Sequence, residues 1–181
     1  MTATGKHNRE FFPGSFPGSG HNHARCVDAA LGAAAKLCGG GRLTPLRRRV
    51  LEIVWSSHQP IGAYAILDQL KTGARSAAPP TVYRALEFLL EHGLIHRIES
   101  LNAFVGCARP GDNHLAHFLL CTRCGTAAEV ADRRVSNAIG RSVADCGFVL
   151  QRRVIELSGL CTRCRPAKTR SGTRVHGSRA A

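Results

Sequence analysis

Across residues 25–38 the apolar side chains Val27, Ala30, Leu31, Ala34 and Leu37 recur every three or four positions, the spacing that gathers them on one face of a helix. Glycines 39 to 41 end it. Thr44 followed by Pro45 predicts a second helix start, a capping hydroxyl ahead of a first-turn proline, and Leu46, Val50, Ile53 and Val54 form its buried stripe with Arg47, Arg48 and Arg49 beside it. A third helix begins near residues 61–63, buries Ala63, Ile66, Leu67 and Leu70, and ends around Gly73. After Pro79 and Pro80, Val82, Ala85, Leu86, Leu89 and Leu90 share one face of a helix over residues 81–93, with Arg84 and Glu91 opposite. The pattern then shortens to two extended segments, 94–99 and 103–107, joined through Ser100, Leu101 and Asn102. Helices followed directly by such a hairpin make a winged helix-turn-helix.

Past a connection at 106–113, a strand from His117 runs into Cys121-Thr-Arg-Cys124-Gly125, a knuckle that turns into a second strand over 126–130. Val135, Ile139 and Val143 mark one more helix, closed by Gly147, and 148–157 returns as a strand before Cys161-Thr-Arg-Cys164. This is a small α/β domain. The expected class is therefore α+β, and 181 residues suit two small domains better than one large one. The expected divisions are a disordered basic tail over 1–24, a winged-helix domain over 25–106, a metal-binding dimerisation domain over 107–164, and a second disordered basic tail over 165–181.

Charge adds a partner. The formal net charge is +13, with five basic residues and no acid in 165–181 and +2 in 1–25, which leaves +6 on the folded part. A basic excess attracts nucleic acid or an anionic membrane, although it also serves solubility. No apolar run approaches the ~18 residues of a membrane helix, and the first twenty residues lack the apolar core of a secretory signal. The expected location is the cytoplasm.

A reducing cytosol directs clustered cysteines toward metal rather than disulfides. Cys121 with Cys124 and Cys161 with Cys164 are two C-x-x-C pairs separated by 36 residues. Each sets two thiolates at chelating distance, and four thiolates close a tetrahedral structural zinc site. At this separation the ion would clamp the first and last strands of the small domain. Two redox-active pairs or coincidence are the other readings, but nothing around either pair resembles a thioredoxin-type helix start. Cys26, Cys38 and Cys146 lie on helices among apolar neighbours and read as buried thiols, while His58 and His92 sit at helix ends, where a cationic imidazole suits the dipole.

The helix after Pro80 displays Thr81, Tyr83 and Arg84 away from its apolar face, which suits insertion into a major groove, and Tyr64 at the start of the third helix could reach a phosphate. A three-helix bundle with a solvated face would look similar, but the hairpin that follows argues against it.

These segments together, PPTVYRALEFLLEHGLIHRIES preceded by RLTPLRRRVLEI and followed by both cysteine pairs, resemble the ferric uptake regulator family over residues 25–164. The resemblance implies a homodimeric, metal-activated repressor of DNA operators, not an enzyme, with no small-molecule substrate and no membrane partner. His96, Cys107, His114 and Glu129 resemble, position by position, the sensory site of the family's zinc-responsive branch. A thiolate, two imidazoles and a carboxylate suit Zn²⁺, whereas iron or manganese would favour more oxygen and nitrogen ligands. Two zinc ions per protomer are then expected. His117 is a reserve ligand or a plain strand residue.

Three rivals remain. An iron or peroxide sensor would keep the fold but leave Cys107 without a purpose. A zinc enzyme could use His96, His114 and Glu129 with a water in the fourth position, but no general base stands out nearby. A structural zinc protein on RNA has only the basic tail in its favour.

Overall fold

A computed structural model describes residues 23–39, 42–71, 78–112 and 114–166. Nearly all of both expected tails lies outside these residues, as does the expected end of the third helix at Gly73. The chain runs α1 (His23–Leu37), α2 (Pro45–Trp55), β1 (Ile61–Gly62), α3 (Ala63–Lys71), α4 (Pro79–Glu91), β2 (Ile95–Ile98), a single 3-10 turn (Glu99–Leu101), β3 (Ala103–Gly106), β4 (His117–Cys121), β5 (Ala127–Val130), α5 (Arg133–Asp145) and β6 (Glu156–Gly159).

Helices α1 to α4 close one hydrophobic core with the first sheet. The Thr44 hydroxyl accepts the Arg47 N–H at the start of α2, with Pro45 in the first turn, and α2 then buries Val50, Leu51, Ile53 and Val54. Both prolines, 79 and 80, fall in the first turn of α4, where their missing N–H groups would have had no partner. Its buried face is Val82, Ala85, Leu86, Phe88 and Leu89, packed on α2 and α3. The first sheet has the order β1-β3-β2, with Ile98 opposite Ala103 beside the 3-10 turn. Asn102 takes the left-handed conformation that reverses the wing, at φ 46°. The two-residue strand β1 is too short to leave a periodic signal, and the expected third-helix start absorbs it.

The second sheet has the order β5-β4-β6, with β6 parallel to β4. Gly125 turns the knuckle at φ +71°, and its N–H returns to the Cys121 carbonyl. Asp132 caps α5 by accepting the Arg134 N–H. The two sheets meet through a small apolar cluster, Ile98 and Val105 from the wing against Phe118, Leu120 and Ala127.

Three expectations need correction. The strand expected over 148–157 is displaced: only Glu156–Gly159 pairs, and Phe148, Val149 and Leu150 are exposed. Their apolar run signals a strand, but no described strand lies beside them to complete a ladder. Cys146 is exposed rather than buried because α5 buries none of its residues among the described part. Leu37 is also exposed. It lies at the end of its stripe, beside Gly111 rather than in the core.

Candidate metal centres

The four knuckle cysteines converge because β4 and β6 are neighbours. Cys121 ends β4 opposite Gly159, and two residues later the chain reaches Cys161. The sulfurs of Cys121, Cys124, Cys161 and Cys164 all lie within 4.8 Å of one another, with Cys121 and Cys161 buried and the other two half-buried. Backbone N–H groups of Cys161 and Cys124 aim at the Cys121 sulfur and lower its pKa to about 6, while burial and the surrounding thiols push Cys164 up to about 12. Four thiols so close cannot all ionise unless a cation offsets their mutual repulsion. The donor set is that of a closed tetrahedral zinc site.

The second group joins different parts of the fold. His96 comes from β2 in the wing, Cys107 follows β3, His114 follows the connection, and Glu129 stands on β5. Their ligand atoms also lie within 4.8 Å of one another. Gly106 makes this possible, since a Cβ there would run into the Trp55 indole ring. The strand therefore passes tight beneath α2 and delivers the buried Cys107 to the gap.

Each donor in this group is oriented. The Nδ1 of His114 lies 3.0 Å from the Asp112 carbonyl oxygen, which can only accept, so Nδ1 donates there and the Nε2 lone pair faces the Glu129 carboxylate, 3.8 Å from Cys107 Sγ. That is the arrangement by which a neighbouring group fixes the tautomer of a ligating histidine. The Ala108 N–H donates to Glu129 Oε2 at 2.8 Å, leaving Oε1 toward His114. His96 Nε2 sits 3.5 Å from Glu129 Oε2, is buried, and has no hydrogen-bond partner among the described residues. A buried, unsatisfied imidazole nitrogen is costly unless something else binds it.

Electrostatics point the same way. Burial opposes the Glu129 charge, yet the facing imidazoles and the Ala108 N–H hold its carboxyl below the usual range. Cys107 is pushed up to about 12 by burial and by the Glu129 carboxylate. A divalent ion among these atoms would reverse that preference, because a coordinating thiol gives up its proton.

His117 belongs to neither group. It is buried on β4, its Nε2 lies 3.4 Å from Ser136 Oγ on α5, and burial together with nearby Arg153 lowers its pKa. Cys38 is buried and Cys26 half-buried, apart from both clusters. His92 caps the end of α4, with Nδ1 2.8 Å from the Phe88 carbonyl, whereas His58 lies in the loop beyond α2 rather than at its last turn.

The four residues expected at nucleic acid are all exposed on the helical layer. Tyr64, 72% exposed, is the second residue of α3, and Thr81, Tyr83 and Arg84 project from the first two turns of α4. Arg47 is committed elsewhere: its guanidinium stacks over the Phe88 ring at 3.6 Å and donates to the Arg42 carbonyl. Arg48 and Arg49 both pair with Glu52.

Two sets of contacts between the layers go unanticipated by the sequence reading. Gln59 Nε2 donates to the Cys124 carbonyl at 2.9 Å and the Ala127 N–H to the His58 carbonyl, so the loop after α2 rests on the cysteine knuckle. Glu156 on β6 reaches the wing turn. Neither has a spacing signal, although Glu156 is the only acid after Asp145.

The ferric uptake regulator family model matches residues 39–158. The zinc uptake regulation protein of Escherichia coli (strain K12) is 40% identical over 137 residues, covering 74% of this chain and 80% of that protein. A zinc uptake regulator solved in complex with zinc and DNA is 36% identical with a TM-score of 0.69, covering 79% of this chain and 95% of that one. The holo form of the regulator XcZur is 38% identical with a TM-score of 0.67, covering 78% of this chain and 97% of that one. The chain belongs to the ferric uptake regulator family, and within it resembles the zinc uptake regulators.

Proposed function

We propose that this chain is a zinc-responsive, DNA-binding transcriptional repressor, a cytoplasmic homodimer that occupies operator dyads of zinc-uptake genes when loaded with zinc. The observation that carries the reading is the second cluster: His96 stands on the wing of the DNA-binding layer, and Glu129 on the sheet of the other layer. A site assembled across two layers forms only when they are apposed. Ligand binding there is differential binding to the closed arrangement, so metal and DNA each raise the other's affinity.

Cys121, Cys124, Cys161 and Cys164 would hold a structural zinc, and His96, Cys107, His114 and Glu129 an exchangeable one, two per protomer. A zinc ion in the second group would supply a single point to which the wing, the hinge and β5 are all tied. The chain's own part is to present Nε2 of both histidines, one carboxylate oxygen and one thiolate to that point. Tyr64, Thr81, Tyr83 and Arg84 would face the operator. Exposed Phe148, Val149 and Leu157 on the second layer supply apolar surface for the partner protomer. The relatives are regulators, and nothing in either cluster calls for catalysis.

No described helix is long and apolar enough to cross a membrane. The test is a panel of divalent ions against binding of a palindromic operator from a zinc-uptake promoter. Zn²⁺ should drive specific binding, and Fe²⁺ or Mn²⁺ should not at matched free concentration. Binding driven by Fe²⁺ alone would assign the chain to iron sensing instead.

A further inference from the structure

The wing is held to the second layer at more than its metal end. His96 marks one end of β2, and the 3-10 turn Glu99–Leu101 marks the other. The first N–H groups of such a turn have no internal partner, and the preceding residue is Ile98, which has no side chain able to cap them. The cap comes instead from Glu156, 57 positions along the chain. Glu156 Oε1 accepts the Glu99 N–H at 2.6 Å, and Oε2 accepts the Ser100 N–H at 3.1 Å.

Hydrogen bonds to an ionised acceptor are about twice as strong as neutral ones, and both oxygens of this half-buried carboxylate are used. Glu99 would oppose a second carboxylate so close, but its own side chain is turned to Arg152 and Arg97. Glu156 is the first residue of β6, in register with Phe118 on β4. Phe118 packs with Ile98 and Val105 of the wing and meets the His96 ring edge-on at 5.3 Å. One continuous contact thus runs from the wing turn, through apolar side chains, to a histidine of the second cluster.

We propose that Glu156 is a positioning residue for the metal response: its contact with the wing turn is a metal-independent latch that favours the same apposed arrangement the His96, Cys107, His114 and Glu129 cluster requires. The inference rests on the sensory reading above. An ion that binds only the apposed form has its apparent affinity lowered by the fraction of protein not in that form. The latch raises that fraction and so sets how much zinc is needed, without touching a ligand. Its loss shifts the response along the zinc axis, and saturating zinc restores full closure.

The experiment uses the full-length protein with wild type, Glu156→Ala, the near-isosteric Glu156→Gln and Arg152→Ala. Exchangeable zinc affinity is measured without DNA by chelator competition, and operator binding is measured across buffered free zinc. Glu156→Ala should bind exchangeable zinc about tenfold more weakly, with the operator midpoint displaced equally and its plateau unchanged. Glu156→Gln keeps one acceptor but turns an amide NH₂ toward the other N–H, so it should shift in the same direction, and it reads the effect if the alanine variant folds poorly. Arg152→Ala should shift less, its side chain being 70% exposed. Unchanged zinc affinity in both Glu156 variants overturns the latch. A lowered plateau at saturating zinc with no shift in midpoint also overturns it, assigning Glu156 to folding or DNA contact. Wild type that takes up no exchangeable zinc overturns the sensory reading itself, and the latch with it.

Discussion

His96 Nε2 and Glu129 Oε2 face each other 3.5 Å apart, one from the wing and one from β5, and the imidazole nitrogen is buried without a hydrogen bond. Neither residue can keep that distance if the layers separate. The pair therefore belongs to a state of the molecule rather than to a fixed domain, whereas the four cysteines all lie on the second layer and stay together in any arrangement.

This difference predicts two kinds of zinc. Elemental analysis of purified protein should find two per protomer, falling to one after mild chelation, because four thiolates outcompete a mixed site for Zn²⁺. Loss of both at the same chelator concentration would mean that the clusters do not differ in this way.

Cys161→Ser should remove the inert ion and with it the second layer. Structural zinc contributes about 10–16 kcal/mol of apparent binding energy in small zinc-finger peptides, as much as a whole domain's typical stability of about 5–15 kcal/mol. The buried Cys161 lies two residues beyond β6, so that strand loses its tie to the knuckle. Thermal denaturation and size-exclusion chromatography should show loss of cooperative unfolding and of the dimer. A variant that melts like wild type would make the cluster dispensable.

Arg84→Ala should weaken specific operator binding by about 1–3 kcal/mol, the scale of a base-contacting arginine, and leave zinc content unchanged. Arg84 is exposed on α4, and its removal disturbs no core contact. A fluorescence-anisotropy titration showing wild-type affinity would place the recognition surface elsewhere.

The helical layer is legible in the sequence because each helix there packs one face within the same chain. Val82, Ala85, Leu86 and Leu89 recur at helical spacing, and all four are buried. The second layer is less so. Phe148, Val149 and Leu150 carry a strand signal but enter no described ladder, and the apolar positions of α5 lie against no core. Periodicity reports that a face wants burial, not whether the same chain supplies the cover. The cysteine pairs could be read from spacing alone. His96, Cys107, His114 and Glu129 are scattered over four segments, and family resemblance singled them out where spacing could not. Glu156 and Gln59 act through contacts 57 and 65 positions apart, for which no local pattern exists.

Asp132 gives a pH test of the second layer. Its carboxylate pairs with the Arg134 guanidinium and also accepts the Arg134 N–H, which lowers its pKa to about 2. A depressed carboxyl stabilises the fold above its unfolded pKa, and that contribution fades as pH falls from about 4 through about 2. Carboxyl titration by NMR should place the Asp132 midpoint near the lower value. A midpoint near about 3.9, the ordinary Asp value, would mean that the α5 cap is open or that the second layer has already released its cysteine zinc and unfolded, which zinc release measured at the same pH tells apart.

The central claim, that metal at the cluster between the layers controls DNA binding, is tested most directly by Cys107→Ser. Operator binding is followed by anisotropy across buffered free zinc for wild type and variant, with size-exclusion chromatography on the same samples. Cys107→Ser should remain a folded dimer with its inert zinc in place, while its zinc-dependent operator binding is lost or moved to far higher zinc. A variant that responds at wild-type zinc concentrations would contradict the claim, and one that unfolds would show that the two clusters have exchanged roles.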